Sequence, residues 1–424
     1  MTRMPATINS QSHRIAGVTR WHPEDEAQWI AADVLMSPGN SNSYLVAGSG
    51  GDVLINTGWS GEATRHRERY QHALGRGLAL RKIIFTQTHS DHIGGRREFE
   101  GPDVETIAHR SAPIVIEERA RLRGFWGPRA HRLHGSRHAP DDPRRKQLQE
   151  EAMQQIDATT LIGESDSFEV GGRRFDLIST PNGETLDSLI VWLPAERIVF
   201  AGNLTGALWG ALPNFYTIRG DRIRSASGWV RDIDRVLELE PVLLATGHEA
   251  PLEGAERIRE ELGGLRDAVA GLYDYTIRGM GEGKSLWALM SEYEPPASLP
   301  AAEDRGKAMW FVRAVWEELA GWFRFESTTE LYPVPPSAVA TDIVELAGGA
   351  EPLAQRAREH VTAGRPLEAI HLTDIVLAVD PDDRPAREAQ IAALELLLER
   401  SGGRTYDEVA WLESEIAAAR SRLA

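Results

Sequence analysis

The hydrophobic pattern of the first 250 residues consists of short apolar runs separated by polar and glycine-rich loops. Runs of apolar and β-branched residues at 43–47, 53–58 and 83–86 predict β-strands. Gly48–Asp52, between the first two runs, has the composition of a hairpin turn. Residues 62–76 have helical spacing and lead into the third strand.

A second block of predicted strands follows further along the chain. It comprises 175–180, 188–193, 197–201 and 242–246, with a predicted helix at 226–239 before the last strand. Strands that alternate with helices in this order are typical of an α/β layered domain.

The segment 110–155 interrupts this pattern. It is poor in apolar residues and rich in Arg and His. We expect an irregular insertion that covers the functional site, because long segments of this kind inside compact domains are often lids.

Beyond about residue 276 the pattern becomes helical. Helices are predicted near 341–347, 351–363, 366–379, 384–400 and 406–420. The chain is therefore predicted to divide into an α/β domain, 1–275, and an all-α domain, 276–424. The apolar stripes of these helices indicate helix–helix packing or a subunit interface rather than a ligand site.

Composition narrows the classes of function. A chain of 424 residues exceeds a single hydrophobic core. The net charge of −16 argues against a general binder of nucleic acid or anionic membranes. The absence of cysteine excludes disulfides and thiolate metal sites. The polar N-terminus and the lack of any run of about 18 apolar residues favour a cytoplasmic protein that does not enter the membrane.

The candidate chemistry lies directly after the apolar run at 83–86. Gln87, His89, Asp91 and His92 follow within six positions, and Gly94-Gly95 closes the segment. Imidazoles and a carboxylate packed this closely are costly to hold together unless a divalent cation binds them. This cluster predicts a metal site at the end of a strand.

Three more polar residues follow predicted strands in the second block. They are Glu184, Asn203 and His248. In layered sheets, sites are commonly assembled where strands end. We therefore expect these side chains to join the cluster at 87–92.

The segment Gln87-Thr88-His89-Ser90-Asp91-His92 resembles the His-x-His-x-Asp-His signature of the metallo-β-lactamase superfamily. The positions of Asn56-Thr57-Gly58, Thr180-Pro181, Phe200–Asn203 and Thr246–His248 are similar to the family's other landmarks. Over roughly residues 30–260, the resemblance implies an αββα sandwich.

Part of the chain is more narrowly similar to the alkylsulfatase branch of this superfamily. Glu184, the segment 216–220 and the helical region after 276 carry this likeness. In that branch a helical dimerisation domain follows the catalytic domain, which implies a homodimer.

The resemblance implies two metal positions with unequal ligands. The second position takes Asp91, His92 and His248. The first takes His89 and Glu184, together with Gln87, which replaces a histidine. Asn203 lies where the family has a bridging carboxylate. Amide oxygens are poorer zinc ligands than imidazole or carboxylate, so we expect one firmly bound Zn²⁺ and a weak or empty first position. A single shared ion and complete loss of metal are the alternatives.

Asn56 is a further departure, because relatives usually have an aspartate at this position beside the metal ligands.

The implied activity is hydrolysis of an alkyl sulfate or a related ester by metal-activated water. Asp91 would be the catalytic residue. Arg219, Tyr216 and Asn214 would bind an anionic small-molecule substrate, since a guanidinium matches sulfate or phosphate oxygens. The alternatives are cleavage of a carboxylic ester, lactone, amide or phosphoester, or a non-catalytic binding protein with a degenerate site.

Overall fold

A computed structural model describes residues 25–134, 158–213, 215, 217–296 and 303–424. The chain divides into two compact units. The second unit comprises Leu319–Ala424 and the short piece Ala130–Ser136, and the first comprises the rest. No helix within the described ranges is both long enough and apolar enough to cross a membrane.

The first sheet contains seven strands in sequence order. They are β1 (Gln28–Ala31), β2 (Val34–Ser37), β3 (Ser43–Val46), β4 (Asp52–Ile55), β5 (Leu80–Ile84), β6 (Glu105–His109) and β7 (Thr160–Ile162). Strands β1 to β4 pair antiparallel, which confirms the predicted hairpin between β3 and β4. Strands β4 to β7 pair parallel, and helix α1 (Ala63–Leu74) connects β4 to β5.

The second sheet contains six strands in the order β13-β12-β11-β10-β9-β8. They are β8 (Ser165–Val170), β9 (Arg173–Ser179), β10 (Leu189–Leu193), β11 (Ile198–Gly202), β12 (Leu243–Thr246) and β13 (Leu252–Glu253). The connection between β11 and β12, which pair parallel, includes a long helix.

Four helices follow α1 up to the end of that connection. They are α2 (Ser90–Ile93), α3 (Ala112–Arg121), α4 (Arg123–His134) and α5 (Ala226–Glu238), the last of which joins β11 to β12. After β13 come α6 (Ala255–Gly281), α7 (Leu286–Glu292) and α8 (Ala308–Ala320).

The two sheets pack face to face between layers of helices. Along β2, Val34 and Met36 face the second sheet, whereas Leu35 packs toward α1 on the outer side, as the two-residue period of a strand requires. Trp229 of α5 packs on the outer face of the second sheet. Burial of each such large apolar side chain contributes about 1.5–3 kcal/mol. The predicted αββα sandwich is therefore confirmed.

A glycine lets the two sheets approach each other where the site forms. Gly202 ends β11 with φ +52°, a backbone conformation that side chains rarely adopt. A Cβ atom at this position would lie 2.5 Å from Thr86 Oγ1, in the segment after β5. The close approach brings the residues after β11 next to those after β5.

The prediction of an irregular insertion at 110–155 is wrong for its first half. Residues 112–134 form α3 and α4, and 135–157 lie outside the described residues. Arg, Glu and Ala are good helix formers even when few apolar residues mark a buried face. In α3 only Ala112 and Ile116 are buried, so the apolar signal was too weak to reveal the helix.

The second unit consists of packed helices. They are α9 (Ala340–Leu346), α10 (Ala350–Thr362), α11 (Pro366–Val379), α12 (Arg384–Arg400) and α13 (Tyr406–Ser421), within a residue of the predicted bounds. Alanines at their contacts, including Ala357, Ala369 and Ala389, are fully or almost fully buried. Helix α6 runs through the predicted domain boundary after residue 275, and this division stays a prediction.

Candidate metal centre

Asp91, His92 and His248 converge at the ends of two strands, one from each sheet. Asp91 and His92 lie on α2, just after β5, and His248 follows β12. Asp91 Oδ2 lies 3.7 Å from His92 Nε2 and 3.5 Å from His248 Nε2. One ligand atom from each residue lies within 4.8 Å of the others. We call these three residues the triad.

The net charge of the triad suits a divalent cation. Burial lowers the pKa of His92 to about 4, so its imidazole is neutral at pH 7. Burial alone would raise the pKa of Asp91, but the neighbouring imidazoles of His92 and His248 outweigh it, and the net direction is downward. The triad therefore offers one negative oxygen and a neutral imidazole at His92, and Nε2 of His92 has no hydrogen-bond partner among the described residues.

His248 is oriented by a backbone carbonyl. Its Nδ1 lies 2.7 Å from the oxygen of Asn40. Because a carbonyl only accepts, Nδ1 carries the proton, and the lone pair of Nε2 is directed toward the triad. Asn203 Nδ2 lies 3.1 Å from this Nε2 and donates to it. His248 thus has the tautomer that a metal ligand needs.

His92 has a different neighbour. Its Nδ1 lies 3.0 Å from Asn56 Nδ2. The Oδ1 atom of the same amide accepts the backbone N–H of Thr86 at 2.9 Å. The two histidines of the triad are therefore held by groups of opposite hydrogen-bonding character.

Beside the triad lies a second group, centred on Glu184, which we call the quartet: Gln87, His89, Glu184 and Asn203. A single carboxylate oxygen, Glu184 Oε2, lies 3.0 Å from His89 Nδ1 and 3.1 Å from Gln87 Nε2. It also accepts from Asn203 Nδ2. Burial would raise the pKa of Glu184, but His89 and the other donors lower it well below its usual range.

The quartet does not fit a cation as it stands. The oxygen that would bind the ion is already surrounded by three donors. Three further atoms of the quartet, Gln87 Oε1, His89 Nε2 and Asn203 Oδ1, are buried without a hydrogen-bond partner in the described structure. Binding a cation at Glu184 Oε2 would require this oxygen to give up hydrogen-bond donors.

The predicted substrate residues are only partly placed. Arg219 has a side chain 33% exposed, and its guanidinium lies 3.9 Å from Asp221. Asn214 and Tyr216 lie outside the described residues.

Sequence reasoning missed a buried arginine close to the quartet. Arg224 Nε donates to the backbone oxygen of Glu184, and its terminal nitrogen lies 3.0 Å from Asp221 Oδ2. Arg224 stands five positions after Arg219 in a segment with no regular period. Its proximity to Arg219 was the available signal.

A cavity of about 230 Å³ adjoins Glu184. Its lining includes Val115, Arg119, Trp126, Leu186 and Arg224. Helices α3 and α4 therefore contribute to the wall of the site, which agrees with the predicted location of the insertion although not with its predicted irregularity.

Two known protein families match this chain, each over a different range of residues. The family described as Metallo-beta-lactamase superfamily matches residues 36–248, half of the chain. The family described as Alkyl sulfatase dimerisation matches residues 291–408. The chain belongs to the metallo-β-lactamase superfamily, and residues 291–408 carry the alkylsulfatase dimerisation match.

Among individual proteins, the chain is similar to alkylsulfatases. It is 25% identical over 327 residues to a linear primary-alkylsulfatase of a Pseudomonas species, covering 73% of this chain and 61% of that protein. It is 24% identical to the alkyl/aryl-sulfatase BDS1 of Saccharomyces cerevisiae, covering 84% of this chain and 58% of that protein. The chain thus spans about three fifths of the length of these relatives.

A solved structure confirms the fold. The stereoselective inverting sec-alkylsulfatase Pisa1 from Pseudomonas sp. is similar with a TM-score of 0.77 and 20% identity. The likeness covers 93% of this chain and 65% of that one. At this identity the comparison supports the architecture and leaves the chemistry to the residues of the site.

Proposed function

We propose that this protein is a metal-dependent hydrolase of the alkylsulfatase type, which cleaves an alkyl sulfate or a related ester. The observation that carries the proposal is the triad, in which an ionised carboxylate and two imidazoles converge within 4.8 Å in a metallo-β-lactamase fold. The similar proteins, a linear primary-alkylsulfatase and an alkyl/aryl-sulfatase, suggest the substrate class.

The proposed cofactor is one Zn²⁺ held by Asp91, His92 and His248. When bound, zinc supplies Lewis acidity, which makes hydroxide available from water near neutral pH. The ionised carboxylate of Asp91 both holds the cation and accepts a hydrogen bond from the attacking water. The quartet keeps its hydrogen bonds and stays without a second ion.

The substrate's anionic group is proposed to lie toward the arginines at the edge of the site. Arg219 is the expected anchor, because its guanidinium is partly exposed and its distance of 3.9 Å to Asp221 leaves donors available. Asn214 and Tyr216 stay predicted partners of the same group. The apolar side chains of Val115, Trp126 and Leu186 offer a wall for an alkyl chain.

Sulfate release from a medium-chain alkyl sulfate, with and without a chelator, tests the activity. We expect release that the chelator abolishes and that added Zn²⁺ restores. Metal analysis of the same sample separates the alternatives. Inactivity with metal bound would favour cleavage of another bond, and inactivity without metal would favour a non-catalytic binding protein.

We also propose a homodimer formed through the helical part. The match to the dimerisation family covers 291–408. Within the second unit, Trp322, Phe325 and Leu346 have exposures of 73%, 87% and 88%, and large apolar side chains so exposed commonly mark an interface. Sedimentation should give the mass of two chains, and the mass of one chain would contradict the proposal.

A further inference from the structure

Asn56 determines which nitrogen of His92 carries the proton. Its Oδ1 accepts the backbone N–H of Thr86 at 2.9 Å, and a backbone N–H can only donate. Reversing the amide would place its NH₂ group against that N–H, so this orientation is fixed. The two hydrogens of Nδ2 then point to Thr86 Oγ1 at 2.9 Å and to His92 Nδ1 at 3.0 Å.

The consequence for His92 follows from the donor and acceptor roles. Because Asn56 donates, Nδ1 of His92 must accept, and the proton of the neutral ring lies on Nε2. This Nε2 is the atom that lies 3.7 Å from Asp91 Oδ2, on the triad side. A protonated nitrogen has no lone pair for a cation. His248 has the opposite tautomer, because Asn40 O accepts from its Nδ1.

We propose that Asn56 opposes cation binding by holding His92 in the tautomer that cannot ligate. To bind a cation, His92 must move its proton to Nδ1, where it meets the NH₂ group of Asn56. The triad therefore binds a cation more weakly than it would without the Asn56 donor. The fraction of protein with a bound cation then depends on the free cation concentration. The inference rests on the metal centre proposed above and adds the group that sets its affinity.

An isosteric change reverses the effect. In Asn56→Asp, one carboxylate oxygen still accepts the Thr86 N–H, and the other accepts a proton from His92 Nδ1. The φ of +57° at this position is one that both Asn and Asp tolerate. Partners of this kind beside a ligating histidine typically change metal affinity by about 10–100-fold.

The experiment is a titration of metal-free full-length protein with Co²⁺, followed by its visible absorption. Asn56→Asp is expected to lower the Kd for Co²⁺ about tenfold or more. In the metal-free parent, ¹⁵N NMR of the imidazoles should show His92 protonated at Nε2, and in the variant at Nδ1. Neither readout depends on hydrolysis.

Two controls separate the tautomer from simple charge and from misfolding. Ser60→Asp adds the same charge close to Gly94, two residues after His92, where Ser60 N lies 2.8 Å from the position that a Cβ atom of Gly94 would take. It adds no partner for His92 Nδ1 and should leave the Kd within about twofold, an effect below 0.5 kcal/mol by the conversion of 1.36 kcal/mol per tenfold. Asn56→Gly suits the positive φ and removes the amide donor without adding charge. It should lower the Kd less than Asn56→Asp does.

An unchanged Kd in Asn56→Asp overturns the inference, and so does an equal gain in Ser60→Asp. An Nδ1-protonated His92 in the metal-free parent overturns it as well, even where a variant does not fold. Failure of the proposed centre looks different. If no metal centre exists, His248→Ala binds Co²⁺ with the same Kd as the parent. If His248→Ala loses Co²⁺ binding but Asn56→Asp does not lower the Kd, the centre stands and only the inference about Asn56 is wrong.

Discussion

The triad and the quartet lie side by side at the same strand ends, yet they reach electrostatic balance in different ways. In the triad, Asp91 faces two imidazoles, and Nε2 of His92 has no partner among the described residues. In the quartet, three donors surround one oxygen of Glu184. The amides of Gln87 and Asn203 thus supply donors to a buried carboxylate that a cation could otherwise neutralise.

Removing a triad ligand should have the largest effect. His248→Ala deletes one of three ligands and is expected to reduce bound metal to background and to abolish hydrolysis with it. Metal content after dialysis and sulfate release measure the two effects. The matched control is His72→Ala, an exposed histidine on α1, which should retain both. Unchanged turnover in His248→Ala would remove this residue from the site.

Converting the quartet toward the triad's chemistry should add a second ion. In Gln87→His with Asn203→Asp, two amide donors to Glu184 become an imidazole and a carboxylate. The new carboxylate would lie against Glu184, and this repulsion is relieved by a divalent cation. Metal analysis should rise from one equivalent to two. A ratio that stays at one in a folded double variant would show that the amides do not set the stoichiometry.

The two groups should also respond to acid in different pH ranges. The folded-state pKa of His92 is lowered by burial from 6.5 to about 4, so the unfolded chain binds more protons between these values and stability falls as the pH drops through them. The pKa of Glu184 lies well below 4.5, so its contribution is lost only at lower pH.

Urea unfolding of the metal-free protein from pH 7 to about pH 3 measures this difference. A loss of roughly 2 kcal/mol or more is expected across the upper range, with a further loss below it. Stability that stays constant between pH 6.5 and pH 4.5 would mean that His92 is not held neutral by burial.

A smaller effect should come from the group that holds Asn40. The backbone N–H of Asn40 donates to Glu62 Oε2 at 2.8 Å, and its carbonyl orients His248. Glu62→Ala frees this peptide and should weaken Co²⁺ binding by several-fold, less than the direct partners of a ligand do. Glu62→Gln keeps an acceptor and should recover most of the affinity, and Glu68→Ala, exposed on the same helix, should have none of the effect.

Much of the fold follows from sequence because its strands are continuous apolar runs. The residues of both groups were expected to lie together because each follows such a run, at 87–92, 184, 203 and 248, and their role as ligands stays a prediction. Helices α3 and α4 were not predicted, since α3 buries only Ala112 and Ile116. In that region composition carried no periodic signal strong enough to identify a helix.

Other parts of the site depend on contacts that no local pattern encodes. Arg224 reaches the quartet through the backbone oxygen of Glu184, forty positions away. Asn40 acts through its carbonyl, which every residue possesses. The direction of the Asn56 amide depends on the N–H of Thr86, thirty positions along the chain. These contacts join segments that are far apart in the sequence, so residue types alone do not predict them.

The placement of the triad across two sheets has a mechanical consequence. Asp91 and His92 follow a strand of the first sheet, and His248 follows a strand of the second. A cation held by all three is a removable cross-link that closes a long loop in a chain without cysteine. It adds RT ln(1 + [L]/Kd) to the free energy of unfolding. Resistance to unfolding of the sandwich would then rise and fall with the metal supply of its surroundings.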